Sequence, residues 1–154
     1  MNAATAVQQC ISAPAMLFAR AVSQSQATAL REKHLGLWRD VSFGQYAEQV
    51  REAAEGLLAL GLAAGERVAI IGENRREWLV ADLATQAAGG VSVGIYTTNA
   101  APECAYILEH AGVRVFVVEN EEQLDKALAI RAGLPELRWI VVMDMEGLSG
   151  LDEP

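Results

Sequence analysis

The chain has 154 residues, 52% of them hydrophobic and only four of them proline, so we expect one packed domain and not a disordered chain. Its formal net charge is −8, with only two lysines, which disfavours a nucleic-acid partner because phosphate binding needs clustered Lys and Arg. The most apolar stretch, residues 78–95, contains Asp82, Gln86 and two central glycines, so no transmembrane segment is predicted.

The first ten residues and the two cysteines bear on the compartment. The N-terminus lacks the basic start and apolar stretch of a secretory signal. Cys10 and Cys104 are far apart and belong to no CxxC pair, so neither a disulfide framework nor a zinc site is indicated. We therefore expect a soluble cytoplasmic protein.

The N-terminal third predicts a short hairpin followed by a long helix. Residues 1–26 are read as an N-terminal segment that is partly helical, and short β-like pieces around Leu35–Gly36 suggest the hairpin. Ser42 and Gln45 then have the spacing of a capping box, and apolar residues follow at three- and four-residue intervals. Gly61 is suited to end this helix in a left-handed conformation.

From residue 67 onward, short apolar runs alternate with helical patterns. Asn74 with Glu77, and Asn120 with Gln123, have capping-box spacing. The predicted strands are 67–72, 91–95, 114–118 and 137–143, and the helices between them are about 74–88, 101–111 and 121–132. Because each strand is separated from the next by one helix, we predict an α/β fold with a doubly wound, mostly parallel sheet. It spans residues 27–144, and residues 145–154 look like a linker or a truncated end.

Motifs for phosphate binding and for catalysis are missing from the sequence. It contains neither GxGxxG after a strand nor GxxxxGK[ST]. The turn after the first of these strands reads Gly72–Glu73–Asn74, and its carboxylate would repel phosphate. A response regulator is disfavoured because no lysine lies near the acidic strand ends.

Four residues in the helices have ordinary structural interpretations. Trp78 is expected to be a core or interface aromatic and Cys104 a small buried residue. Tyr106 is expected to face the sheet, and His110 suits the last turn of its helix.

The loop Tyr96–Thr97–Thr98–Asn99 is the most informative segment. It follows the carboxyl end of a predicted strand, the edge at which open α/β sheets bind ligands, and it precedes the N-terminus of a helix. Its hydroxyls and amide could contact a ligand, but none of them is suited to act as an acid, a base or a nucleophile. The same residue types are also common at helix starts, so a purely structural role stays open.

Several ordered segments together resemble the N-terminal portion of adenylate-forming acyl-CoA synthetases. The nearest group is the long-chain fatty-acid–CoA ligases of the bubblegum-like type, in which a GIY-x-TN loop occurs. The resemblance covers about residues 27–144. It rests on WRDVSFGQY (38–46), GLAAGERVAIIGENRREW (61–78), AAGGVSVGIYTTNAAPECAYIL (87–108), VFVVEN (115–120) and WIVVMD (139–144).

The resemblance implies a two-step reaction. A fatty acid attacks ATP with Mg²⁺ to give an acyl-adenylate, and the thiol of CoA then displaces AMP. It places Tyr96, Thr97 and Thr98 near the CoA path, although this sequence lacks the glycine pair of acetate-activating relatives. The phosphate loop and the catalytic lysine of the family lie downstream of the matching region, so no catalytic residue is assigned. The chain is expected to be a fragment, inactive alone, of an enzyme whose peripheral attachment to membranes is left open.

Two other functions remain as alternatives. One is a free-standing α/β module that binds CoA or a partner protein without catalysis, and the other is a small independent nucleotide-binding domain. A fragment should expose an apolar face meant for the rest of the enzyme, so we predict self-association of the isolated chain through that face.

Overall fold

A computed structural model describes residues 12–148 of the chain. The predicted N-terminal segment and the predicted terminal linker therefore lie partly outside the described residues. Cys10 lies wholly outside them. The helices are α1 (Ala13–Ser23), α2 (Phe43–Ala59), α3 (Arg76–Ala87), α4 (Ala101–Ala111) and α5 (Glu121–Arg131). The strands are β1 (Thr28–His34), β2 (Leu37–Ser42), β3 (Arg67–Ile71), β4 (Val91–Ile95), β5 (Val113–Val118) and β6 (Trp139–Val142).

The predicted hairpin and the long helix after it are both confirmed. Strands β1 and β2 pair antiparallel, with His34 opposite Leu37 across a two-residue turn. Ser42 then caps α2 with both halves of the capping box, because its side chain accepts from the Gln45 N–H and the Gln45 side chain accepts from the Ser42 N–H. Gly61 follows the helix with φ +84°, the left-handed conformation that glycine adopts readily.

The remaining four strands form one parallel sheet in the order β4-β3-β5-β6. The chain runs from β3 outward to β4 and then returns to the other side of β3 to form β5. This reversal packs helices on both faces of the sheet, and the predicted doubly wound α/β architecture is confirmed. The switch point of the topology lies between β3 and β5.

The core has two halves, one on each face of the sheet, because side chains alternate along a strand. Val68 and Ile70 of β3 pack with α2 on one face, while Ala69 and Ile71 pack on the other face with Phe116 and residues of α4 and α5. Helix α1 lies against α2 and α3. Within residues 12–148, the helices are all too short or too polar to cross a membrane.

Two local predictions are wrong. Helix α3 begins at Arg76, after an Arg75 N-cap that makes no side-chain capping bond, so Asn74 and Glu77 form no capping box. The Glu77 carboxylate is instead bound by Arg75 and Arg76. Tyr106 does not face the sheet, since it is 68% exposed and its ring stacks on His110 with 5.7 Å between centroids.

Two further predictions agree with the structure in full or in part. Cys104 is fully buried, as predicted, and burial raises the pKa of its thiol. Asn120 caps α5 by accepting from the Gln123 N–H, but the Gln123 side chain does not complete the box.

Tyr46 on α2 makes the stability of this fold sensitive to high pH. It is 7% exposed and its hydroxyl donates to the Leu79 carbonyl at 3.3 Å. Burial and then the charge of Asp82 raise the pKa of Tyr46 to about 12. Tyrosine in the unfolded chain ionises near pH ~10, so this residue should lower the free energy of unfolding by about 1.4 kcal/mol per pH unit between roughly pH 10 and 12.

Urea unfolding of the wild type and of Tyr46→Phe at pH values across that range measures this contribution. The phenylalanine variant, which has no ionisable hydroxyl, should lack this part of the slope. Equal slopes for the two proteins would contradict the assignment.

Candidate functional site

The main candidate site is a cleft of about 350 Å³ at the carboxyl ends of β3 and β4. It lies at the edge of the sheet where open α/β proteins bind their ligands. Its walls come from the loop after β3, the first turns of α3, and the end of β4 with the loop that follows it. The lining residues are Gly72, Glu73, Asn74, Trp78, Gly94, Ile95, Tyr96 and Thr97.

The half-buried indole of Trp78 lies against two glycines in the cleft wall. A Cβ atom at Gly94 would lie 3.5 Å from the Cζ2 atom of this ring. A Cβ atom at Gly72 would lie 3.7 Å from the ring and only 3.1 Å from the Cβ of Glu119. Trp78 is therefore an aromatic wall of the cleft as well as part of the packing around α3, which extends the predicted role of a core or interface residue.

The loop after β4 is held on both sides. The Thr97 hydroxyl donates to the Glu73 carboxylate at 2.8 Å, and the Thr97 carbonyl accepts from the Lys126 ammonium at 2.8 Å. The Asn99 N–H donates to the Tyr96 carbonyl and closes a turn. The first two bonds tie the loop to the end of β3 and to α5, so its position is fixed by two other parts of the fold.

The three predicted site residues are placed differently. Tyr96 is 82% exposed and stands at the cleft, free to contact a ligand. Thr97 lines the cleft, but its hydroxyl is already engaged with Glu73. Thr98 is exposed and lies outside the set of residues that line the cleft.

The topological switch point between β3 and β5 is closed by the protein's own charges. Glu119, at the end of β5, is 9% exposed, and its carboxylate accepts from the Glu73 N–H at 2.6 Å. Arg75 donates to Glu119 at 3.2 Å, to Asp144 at 3.3 Å and to Glu77 at 2.8 Å. A carboxylate thus occupies the place at which related topologies bind phosphate. We call the four side chains of Arg75, Glu77, Glu119 and Asp144 the switch-point cluster.

The electrostatics of the switch-point cluster agree with this geometry. The hydrogen bond to Glu77 raises the pKa of the Arg75 guanidinium above its ordinary value. The Glu146 N–H and then Arg75 lower the pKa of Asp144. Through these ion pairs, Arg75 joins the loop after β3 to the ends of β5 and β6.

Sequence reasoning did not identify the switch-point cluster, although part of its signal was visible. Glu119 and Asp144 each directly follow a predicted strand, and parallel strands bring such ends to one edge. The role of Arg75 as their common partner depends on strand order, which local patterns do not fix. Across residues 12–148, no group of three or more His, Cys, Asp or Glu side chains has an arrangement that could hold a metal ion.

The family model of AMP-binding enzymes matches residues 17–153. The chain is 43% identical over 113 residues to long-chain-fatty-acid–CoA ligase ACSBG2 of Xenopus laevis, covering 73% of this chain and 15% of that protein. It is 40% identical over 114 residues to long-chain-fatty-acid–CoA ligase ACSBG1 of Homo sapiens, covering 74% and 16%. The crystal structure of the anthranilate CoA ligase AuaEII in complex with anthranoyl-AMP matches with a TM-score of 0.78 and 29% identity, covering 93% of this chain and 27% of that one.

These comparisons agree with the resemblance found in the sequence. The curated relatives are the bubblegum-like long-chain fatty-acid–CoA ligases, and this chain spans only about 15% of the length of the Xenopus relative. Because the family model covers almost all of the chain, including the cleft and the switch-point cluster, the chain belongs to the family of AMP-binding enzymes.

Proposed function

We propose that the chain forms part of an ATP-dependent ligase that joins a long-chain fatty acid to CoA. In this reaction the carboxylate attacks ATP to give an acyl-adenylate and pyrophosphate, and the CoA thiol then displaces AMP to give the thioester. The observation that carries the proposal is the 43% identity to a long-chain-fatty-acid–CoA ligase over 73% of the chain. Residues 27–144 supply the α/β subdomain, flanked by residues 1–26 and 145–154.

The contribution of this chain is contact and support. The cleft offers the Trp78 and Tyr96 rings, backbone groups and a tethered loop. The carboxylates nearest to it are engaged, Glu73 by Thr97 and Glu119 by Arg75 and the Glu73 N–H. We therefore propose that the 154-residue chain alone forms no acyl-adenylate.

Within the intact ligase, Tyr96, Thr97 and Thr98 would border the path of CoA. The exposed Tyr96 ring is the group most available for van der Waals contact with a pantetheine chain. Thr97 would act mainly by fixing the loop through its bonds to Glu73 and Lys126. Thr98 is exposed next to Thr97 and would border the CoA path from there.

ATP-dependent reactions of this kind use Mg²⁺, but residues 12–148 do not provide a set of side chains suited to bind it. Of the acidic side chains nearest the cleft, Glu73 accepts from Thr97 and Glu119 is held by Arg75. Residues 12–148 form no candidate metal cluster. No step of the proposed reaction is assigned to a metal bound by this chain.

A chimeric ligase tests the role of the loop. The matching segment of the Xenopus relative would be replaced by this chain, and Tyr96→Ala would be introduced into the active chimera. Loss of an exposed contact along the CoA path should raise the KM for CoA by roughly three- to tenfold, a cost of about 1 kcal/mol. The rate of ATP–pyrophosphate exchange, which reports the first step alone, should stay unchanged.

Tyr106→Ala is the matched control, because this tyrosine is also exposed but lies on α4 outside the cleft lining. It should leave both quantities unchanged. An inactive chimera, or a Tyr96→Ala chimera that slows ATP–pyrophosphate exchange while the KM for CoA stays the same, would contradict the proposed role.

A further inference from the structure

The tip of the β1–β2 hairpin exposes three large hydrophobic side chains within four residues. Leu35 is 87% exposed, Leu37 68% and Trp38 66%. They follow one another around the two-residue turn and belong to neither half of the buried core. Isolated exposed hydrophobics are common on proteins, but three large ones on a single turn indicate a surface used for contact.

The backbone at the turn makes the leucine at its apex harder to explain by folding alone. Leu35 has φ +49° and Gly36 has φ +82°, as a tight hairpin turn with two left-handed residues requires. Asn or Gly is preferred at the first of these positions, and a leucine there is unfavourable. The leucine weakens the turn that it occupies, which suggests that its side chain is used for another purpose.

The charged side chains within the hydrophobic tip are both positive. The segment KHLGLWR, residues 33–39, holds Lys33 and Arg39 and no acidic residue, in a chain whose net charge is −8. Glu32 lies opposite Arg39 in the hairpin but is paired with Arg76. Among the residues that the structure describes, Lys33 and Arg39 make no ion pair, whereas the adjacent Arg31 is paired with Asp40. Lys33 lies opposite Trp38 in the hairpin, with its ammonium 6.0 Å from the indole centroid.

We propose that this hairpin tip docks the protein on the surface of an anionic lipid membrane. Leu35, Leu37 and Trp38 enter the interface between headgroups and acyl chains, where tryptophan is favoured, while Lys33 and Arg39 contact lipid phosphates. The acidic remainder of the chain is repelled by the same surface, which orients the tip toward it. The inference rests on the hairpin alone and is independent of the proposed ligase function.

Sedimentation of the full chain with phospholipid vesicles tests the proposal. Vesicles of phosphatidylcholine with one quarter phosphatidylglycerol should carry the wild type down, and vesicles of phosphatidylcholine alone should carry much less. Leu35→Asn should weaken partitioning about tenfold, because it removes most of a leucine side chain from the apolar phase. Asparagine suits the left-handed position, so the thermal midpoint should be unchanged or higher, and the loss of binding cannot come from unfolding.

Two further variants separate apolar insertion from attraction by charge. The pair Lys33→Gln and Arg39→Gln should weaken binding to the anionic vesicles by roughly fivefold per residue and abolish the preference for them. Leu128→Gln, which changes an equally large exposed leucine on α5, should have no effect.

Three results would overturn the proposal. The first is that the wild type does not sediment with anionic vesicles, and the second is that the wild type and Leu35→Asn partition equally. The third is that the chain binds no vesicles but self-associates in the ultracentrifuge, and that Leu35→Asn abolishes this self-association. The last result would identify the tip as a contact between copies of the chain.

Discussion

Phe116→Ala is expected to lower the free energy of unfolding by about 4 kcal/mol, the largest effect predicted for a single substitution in this chain. Phe116 is fully buried on β5, a strand that lies between β3 and β6, with Ala69 and Ile140 as its neighbours in the ladder. Because the two adjoining strands fix the backbone, the cavity left by the ring cannot collapse fully. Urea unfolding followed by circular dichroism measures the loss.

Leu128→Ala is the matched control for this measurement. It also removes a large hydrophobic side chain, but one that is half exposed on α5, so its effect should stay within about 0.5 kcal/mol. A loss below about 1 kcal/mol for Phe116→Ala would show that β5 does not lie at the centre of the core.

Glu119→Ala is expected to cost about 3 kcal/mol, the second largest effect. The substitution leaves the Glu73 N–H without its acceptor and takes from Arg75 its most buried carboxylate. Arg75 keeps Glu77 and Asp144, so the cost lies at the low end of that for breaking a buried ion pair. The loop after β3 should also become mobile, which amide hydrogen exchange at Glu73 would detect as a loss of protection.

A control variant and a double-mutant cycle distinguish the loss of the switch-point cluster from the loss of a negative charge in general. Glu122→Ala removes a carboxylate whose side chain is 71% exposed and pairs with Lys126 at the surface, so its effect should be at most about 1 kcal/mol. Asp144→Ala combined with Glu119→Ala should be non-additive by at least about 0.5 kcal/mol, because both carboxylates bind the same guanidinium. Additive losses would contradict the existence of one cluster.

Local patterns were sufficient to predict the order of the elements. The alternation of apolar runs with helical periods predicted the four parallel strands, and Ser42 with Gln45 predicted a capping box that is fully formed. These features depend on neighbouring residues, so the sequence pattern carries them directly. The exposed Tyr106 could also have been predicted, because the buried Cys104 and Leu108 on α4 are four residues apart and Tyr106 lies midway between them, on the opposite face.

Features that depend on strand order were beyond local patterns. Asn74 and Glu77 have the spacing of a capping box, but Arg75 and Arg76 draw the Glu77 carboxylate away from the helix start. Arg75 is in turn positioned by Glu119 and Asp144, which come close only because β5 and β6 follow β3 across the sheet. The cleft likewise requires the ends of β3 and β4 to be adjacent, so only its loop after β4 was indicated by the sequence.

The most direct test of the central claim uses the native protein. An antibody raised against this chain would capture that protein from its source cells, and the captured material would be supplied with ATP, CoA and palmitate. We predict palmitate-dependent formation of AMP and palmitoyl-CoA in equal amounts, while the 154-residue chain assayed alone forms neither. Formation of ADP in place of AMP, or no palmitoyl-CoA from the captured protein, would contradict its assignment to an AMP-forming long-chain acyl-CoA ligase.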